Sequence, residues 1–201
     1  MLVKAYQCSY GLPCIITRGN NVYGPHQFPE KLVPKFTLLA ARGAPLPVHG
    51  DGSATRSYLY VEDVAEAFDC VLHRGAEGQI YNIGTQQERS VLSVAEDIAR
   101  AVQEHLGGAG GAARVEHVRD RLFNDRRYFI CDRKMHALGW RERTPWAEGL
   151  RRTVGWYLGE GARGRWGEAE VAEALRAHPE LGDRHELFTQ GGLEQTAGLR
   201  G

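Results

Sequence analysis

No lysine stands four residues after any of the eight tyrosines, because the only lysines are Lys4, Lys31, Lys35 and Lys134. A Tyr-x-x-x-Lys pair puts an ammonium one helical turn from a phenol, which lowers the phenol's pKa and makes it a base. That device is excluded within this sequence. The eight histidines and four cysteines show no CxxC, no HExxH and no paired Cys/His set, so a metal centre is not expected. Cys8, Cys14, Cys70 and Cys131 are too scattered for a disulfide framework and point to a reduced, cytoplasmic setting. No apolar run approaches the ~18 residues of a membrane span, and no basic segment leads into an apolar run at the N-terminus as in a secretory signal. Lys+Arg and Asp+Glu are both 25, so no net field draws the chain to nucleic acid or to an anionic membrane. A dinucleotide fingerprint is missing as well. Gly107-Gly108-Ala109-Gly110-Gly111 follows a helix and lacks the GxGxxG spacing, so it reads as a loop.

What is present alternates between strand and helix, which argues for an α/β class. Met1 to Ser9 reads as a helix already in progress at the first residue, as expected of a fragment or a truncated gene model, and Gly11-Leu12-Pro13 stops it. Cys14–Thr17 and Gln79–Ile83 are short apolar runs suited to buried parallel strands. Gly19 to Pro25 reads as a loop. A helix follows with Leu32, Val33, Phe36, Leu39 and Ala40 on one face, and Pro34 is tolerated in its first turns. Strand-like segments fall at Pro45–Gly52, Tyr58–Val61 and Val115–Val118. Asp63 is placed to cap a helix with Val64, Ala65, Phe68, Val71 and Leu72 inward, and Ser90 to cap one with Val91, Val94, Ala95, Ile98 and Val102 inward. Thr144 and Pro145 suit the cap and first position of a last strong helix, with Trp146, Leu150, Val154 and Tyr157 inward. Residues 1–158 therefore read as one unit. Residues 159–201 read as a tail, helical near 168–177 and disordered from 190.

Two sets of residues could carry chemistry. In Thr17-Arg18-Gly19-Asn20-Asn21-Val22-Tyr23-Gly24-Pro25, the loop follows a parallel strand, where open α/β sheets bind ligands. Asn21 can donate to a phosphate without carrying charge, and an ordinary turn fits the same residues. Arg56 and Arg121 offer planar forks suited to a diphosphate, although solvated surface charge is the commoner role of any single arginine.

Order along the chain is more specific than any one signal. Tyr10-Gly11-Leu12-Pro13, Thr17 to Pro25, Phe28 to Phe36, Leu46 to Gly52, Arg56 to Asp63, Tyr81 to Gly84, Asn124 to Tyr128 and Leu138-Gly139-Trp140 together resemble the UDP/dTDP-glucose 4,6-dehydratases of the extended short-chain dehydrogenase type. The details are similar to eukaryotic members such as the dehydratase domain of rhamnose synthases. The resemblance implies the C-terminal portion of a doubly wound parallel-sheet (Rossmann-like) enzyme with a smaller substrate lobe, the N-terminal NAD-binding half being absent. It implies NAD as cofactor, with Gly19 and Asn20 near the nicotinamide. It places Asn21 on the sugar-nucleotide diphosphate, Lys31 and Leu32 beside the nucleotide, and Pro47 and His49 about the base. Arg56 and Arg121 would clamp the diphosphate, and Asn82 would reach phosphate or ribose. Asn124 stands where bacterial relatives carry histidine. A homodimer without membrane or nucleic-acid partners is implied for the full-length protein. In the implied reaction hydride leaves sugar C4, water is lost across C5–C6 and hydride returns at C6. No residue of this sequence matches the catalytic tyrosine, its lysine or the eliminating acid pair, so the chain alone is expected to be inactive. A related epimerase or decarboxylase, and a noncatalytic sugar-nucleotide-binding domain, remain open as alternatives.

Overall fold

The computed structural model describes residues 2–108, 113–120, 127 and 130–176. Helix α1 (Leu2–Tyr10) leads to β1 (Ile16–Gly19) and β2 (Asn21–Tyr23), then α2 (Leu32–Ala41), β3 (Leu46–His49) and β4 (Thr55–Tyr60). Next come α3 (Val61–Arg74), β5 (Ile80–Ile83), β6 (Glu88–Ser90), α4 (Val91–His105) and β7 (Val115–Val118). The chain continues through α5 (Arg133–Ala137), α6 (Trp146–Leu158), a 3-10 turn (Glu160–Ala162) and α7 (Glu168–Leu175). β1 pairs with β5, β2 with β4 and β3 with β7, all in parallel, while β6 runs antiparallel on the other side of β4. Parallel neighbours far apart in sequence require crossovers, and helices α2, α3 and α4 supply them.

β4 is the strand around which packing divides. Tyr58 and Tyr60 belong to one apolar cluster, with Val33, Phe36, Ile98, Leu150 and Val154. Leu59, from the opposite face, belongs to another with Ala67, Val71, Met135 and Trp140. Alternation of side chains across a strand produces this division. Helix α4 begins as its sequence suggests, with Ser90 Oγ accepting the Ser93 amide at 3.0 Å. Its buried residues are Val94, Ala95, Ile98 and Val102.

Four local expectations are corrected. Gly19 to Pro25 is mostly strand, because Asn21, Val22 and Tyr23 lie in register with Tyr58, Leu59 and Tyr60; the pairing overrides the turn preference of asparagine. In α3 the inward residues are Ala67 and Val71, while Phe68 and Leu72 are exposed. Asp63 does not cap α3. It is buried in the first turn, and its Oδ2 accepts the Thr144 amide at 2.9 Å. In α6 the cap position falls on Pro145 rather than Thr144. Residues 177–201, including the segment expected to be disordered, lie outside the described residues, as does most of the Gly107–Ala113 linker. Among the described residues no helix is long and apolar enough to cross a membrane, and no cluster of His, Cys, Asp and Glu is suited to a metal.

Candidate functional site

A cavity of about 520 Å³ opens between β2, β3, β4 and the start of α2, within the ~300–1,000 Å³ range of small-molecule sites. The parallel register Asn21↔Tyr58 sets these two residues side by side. Two-residue periodicity then carries Arg56 onto the same face as Tyr58. Asn21, Arg56 and Tyr58 all line the cavity. Pro47 and His49, two apart on β3, line it too, and Lys31, Leu32 and Lys35 close it from α2. Gly24, at φ 146°, lets the chain turn from β2 toward α2, where a side chain would strike Val61.

Two cationic side chains, Lys31 and Arg56, meet one carboxylate, Glu30, around this space, and Lys35 lines it with its Nζ bonded to the Arg176 carbonyl. The exposed Lys31–Glu30 pair at 3.8 Å is loose. Apolar surface from Leu32, Phe36, Pro47 and Val91 completes the lining. An elongated ligand with an anionic part and a flat apolar part suits such a wall. Burial pushes the Tyr58 phenol up to about 12, against the opposing pull of Arg56. Tyr58 is therefore a neutral hydrogen-bonding group there and not a base. His49 Nδ1 lies 3.0 Å from the Arg119 carbonyl. A carbonyl can only accept, so Nδ1 carries the proton and Nε2 is turned the other way.

Asn20 is 6% exposed, and its Oδ1 accepts the Thr85 amide at 3.2 Å. Its Nδ2 is a buried donor with no partner among the described residues, and Asn20 as a residue lines the cavity. A buried donor left unpaired is costly, so a ligand acceptor at this point fits. Behind it, a side chain on Gly84 would come within 2.7 Å of both Asn20 Oδ1 and Ile130. Nearby, burial raises the Glu142 carboxyl above its usual range, with Thr85 pulling it back.

Of the residues the sequence singled out, Asn20, Asn21, Lys31, Leu32, Pro47, His49 and Arg56 meet at this cavity. Gly19 ends β1, in register with Ile83 and outside the lining. Asn82 is not in the lining either; its amide donates to the Cys131 carbonyl at 3.0 Å. The expected convergence of Asn82 with Asn21 and Arg56 is thus not what the structure shows. Arg121 and Asn124 lie outside the described residues. Lys35 and Tyr58 were missed, although each follows by periodicity, four residues after Lys31 and two after Arg56.

Residues 1–84 match the NAD dependent epimerase/dehydratase family. A trifunctional UDP-glucose 4,6-dehydratase/UDP-4-keto-6-deoxy-D-glucose 3,5-epimerase/UDP-4-keto-L-rhamnose-reductase of Arabidopsis thaliana is 56% identical over 189 residues, covering 92% of this chain and 27% of that protein. The dTDP-D-glucose 4,6-dehydratase of Homo sapiens is 44% identical over 155 residues, covering 77% of this chain and 44% of that protein. The structure of dTDP-glucose 4,6-dehydratase from Bacillus anthracis in complex with NAD is 38% identical, with a TM-score of 0.72, over 85% of this chain and 51% of that one. The chain thus has the fold of NAD-dependent epimerases and dehydratases. More narrowly, it is a close homologue of the NAD-dependent dTDP/UDP-glucose 4,6-dehydratases, including the dehydratase-like domain of trifunctional rhamnose synthases. It spans about half or less of the length of these relatives.

The expectation that the NAD-binding half is absent is overturned by these matches. The stretch from α1 through β5 falls in the NAD dependent family, and the chain superimposes on a dehydratase solved with NAD. NAD-binding structure is therefore present. The reason is topological: a glycine fingerprint marks only the first strand-helix turn of such a sheet, and later strands such as β1 and β5 belong to it without carrying any fingerprint.

Proposed function

We propose that this chain supplies the sugar-nucleotide site of an NAD-dependent 4,6-dehydratase acting on UDP-glucose or dTDP-glucose, and that its product is the 4-keto-6-deoxyglucose nucleotide. The observation that carries this reading is the gathering of Asn21, Lys31 and Arg56 with Leu32, Pro47 and His49 about one cavity. In this reading Arg56 presents its guanidinium fork to the diphosphate, Asn21 donates beside it and Lys31 adds charge. The family resemblance assigns the second arm of the clamp to Arg121. Pro47, Leu32 and His49 flank the base. Holding the remote diphosphate orients the sugar for reaction, so binding energy far from C4 lowers the barrier there. Gly19 and Asn20 would hold the nicotinamide end of NAD, with the unpaired Asn20 amide as donor. When bound, NAD supplies the hydride acceptor and donor. A cytoplasmic homodimer for the full-length protein belongs to the same reading.

Calorimetric titration with UDP and dTDP tests it. Saturable binding is expected, and Arg56→Ala should weaken it roughly ten- to a hundredfold, as befits loss of a charged hydrogen-bond donor worth ~1.5–3 kcal/mol. Binding untouched by that substitution would count against the assignment. Incubated with NAD and UDP-glucose, the 201-residue chain should release no 4-keto-6-deoxy sugar, because no Tyr-x-x-x-Lys pair lies in it. Product would mean that another group on this chain serves as the base.

A further inference from the structure

We infer that the segment from Trp156 to Arg176 is a clasp that fixes the cavity wall between Gln27 and Phe36, with Trp166 as its positioning residue. From Val33 to Phe36 the wall is anchored in the core, but the stretch from Gln27 to Lys31 before α2 has little of its own to hold it. Between β2 and α2 the chain is irregular, with a Lys31 amide bonded to the Phe28 carbonyl at 3.2 Å and the Gln27 amide group bonded to the Val22 carbonyl at 2.7 Å. From outside, three contacts engage it along its length. The Tyr157 hydroxyl donates to the Gln27 carbonyl. Trp166 meets Phe28 edge-on at 6.3 Å and stacks on Tyr157 at 6.1 Å, with ring planes 8° apart. At the far end, Lys35 Nζ donates to the Arg176 carbonyl at 2.5 Å, just past the end of α7, where a cation is favoured by the helix dipole.

Trp166 is the joint of this arrangement because it touches both sides. It packs against Trp156 and Tyr157 of α6 and against Phe28 of the wall. None of these rings lines the cavity, so their effect on a ligand is indirect. They keep Gln27, Lys31 and Lys35 where the cavity needs them, and the ligand is spared the cost of ordering them. The consequence for ligand binding rests on the nucleotide-sugar reading above; the mechanical claim does not.

Hydrogen exchange and UDP titration of the 201-residue chain separate the two. In Trp166→Ala, amides from Phe28 to Phe36 should exchange about tenfold faster while those of α4 keep their rates, and UDP should bind about tenfold more weakly, the effect of one or two lost aromatic contacts. Trp166→Phe should restore most of both. Phe28→Ala, approaching the contact from the wall, should reproduce the change and add nothing when combined with Trp166→Ala. Unchanged exchange in the wall would overturn the clasp. Equal acceleration in α4 would also overturn it, by showing general loosening. Faster exchange confined to the wall, in a protein that binds no UDP even unmutated, would sustain the clasp and remove the nucleotide-sugar reading.

Discussion

Replacing Trp140 with alanine is expected to lower the unfolding free energy by about 3–5 kcal/mol, the range for deleting a buried aromatic. Trp140 is 4% exposed and packs in the cluster of Leu59, Val71 and Met135. Its Nε1 donates to the Asp63 carbonyl at 3.0 Å. Asp63 in turn accepts the Thr144 amide through its side chain, so the turn between α5 and α6 is tied twice to the first turn of α3. Removing the indole opens a cavity and takes away a second donor from the Asp63 carbonyl, which keeps its place in the α3 ladder. Since domains of this kind have only ~5–15 kcal/mol to lose, a large fraction of the stability goes. Trp140→Phe keeps most of the packing and loses the donor, so about 1–2 kcal/mol is expected. Urea denaturation followed by circular dichroism gives both values. Equal midpoints for the parent and Trp140→Ala would show that the second cluster contributes little.

Gly149→Ala should destabilise the protein even though alanine is the better helix former by ~1 kcal/mol. Gly149 lies inside α6, and a Cβ there would stand 3.0 Å from both Tyr23 Cζ and Tyr60 Cδ2, with the Tyr23 hydroxyl nearer still. Both rings are buried and Tyr23 also abuts Trp146, at 4.8 Å, so neither has room to retreat. Overpacking of this kind costs ~1–3 kcal/mol, enough to cancel the propensity gain and reverse its sign. Gly155, later in the same helix, is the internal comparison. Its Cβ would meet only His105 Cε1 at 3.8 Å, an ordinary contact, so Gly155→Ala should stabilise by up to ~1 kcal/mol. Thermal or urea midpoints of the two variants should move in opposite directions. A shift upward in both would mean that Tyr23 yields more readily than its surroundings allow.

Much of this was legible in the sequence where one force dominates. The inward faces of α4 and α6 follow from large apolar residues at helical spacing, with charged residues on the other side. Ser90 is a cap because its hydroxyl has one obvious amide to receive. Helix α3 misleads for the opposite reason. Its buried positions are an alanine and a valine, Ala67 and Val71, while the larger Phe68 and Leu72 face outward. β2 was hidden because Asn-Asn favours turns locally, and only its distant partner β4 makes it a strand. At the site, residues named through the family resemblance mostly gather, but Asn82 does not, since a neighbouring carbonyl takes its amide. The NAD-binding part is not legible in the sequence because strands such as β1 and β5, within the matched residues 1–84, carry no glycine fingerprint.

Strand β4 has two tenants, and neither can be renovated alone. Leu59 rests on the Trp140 side, while Arg56 and Tyr58 furnish the cavity side. A change in residue volume behind the strand must tilt or shift it, and the guanidinium in front moves along. Altered specificity in this chain is therefore expected to demand compensating substitutions on the far side of the strand, at Leu59, Ala67 or Met135, rather than only among residues that touch the ligand.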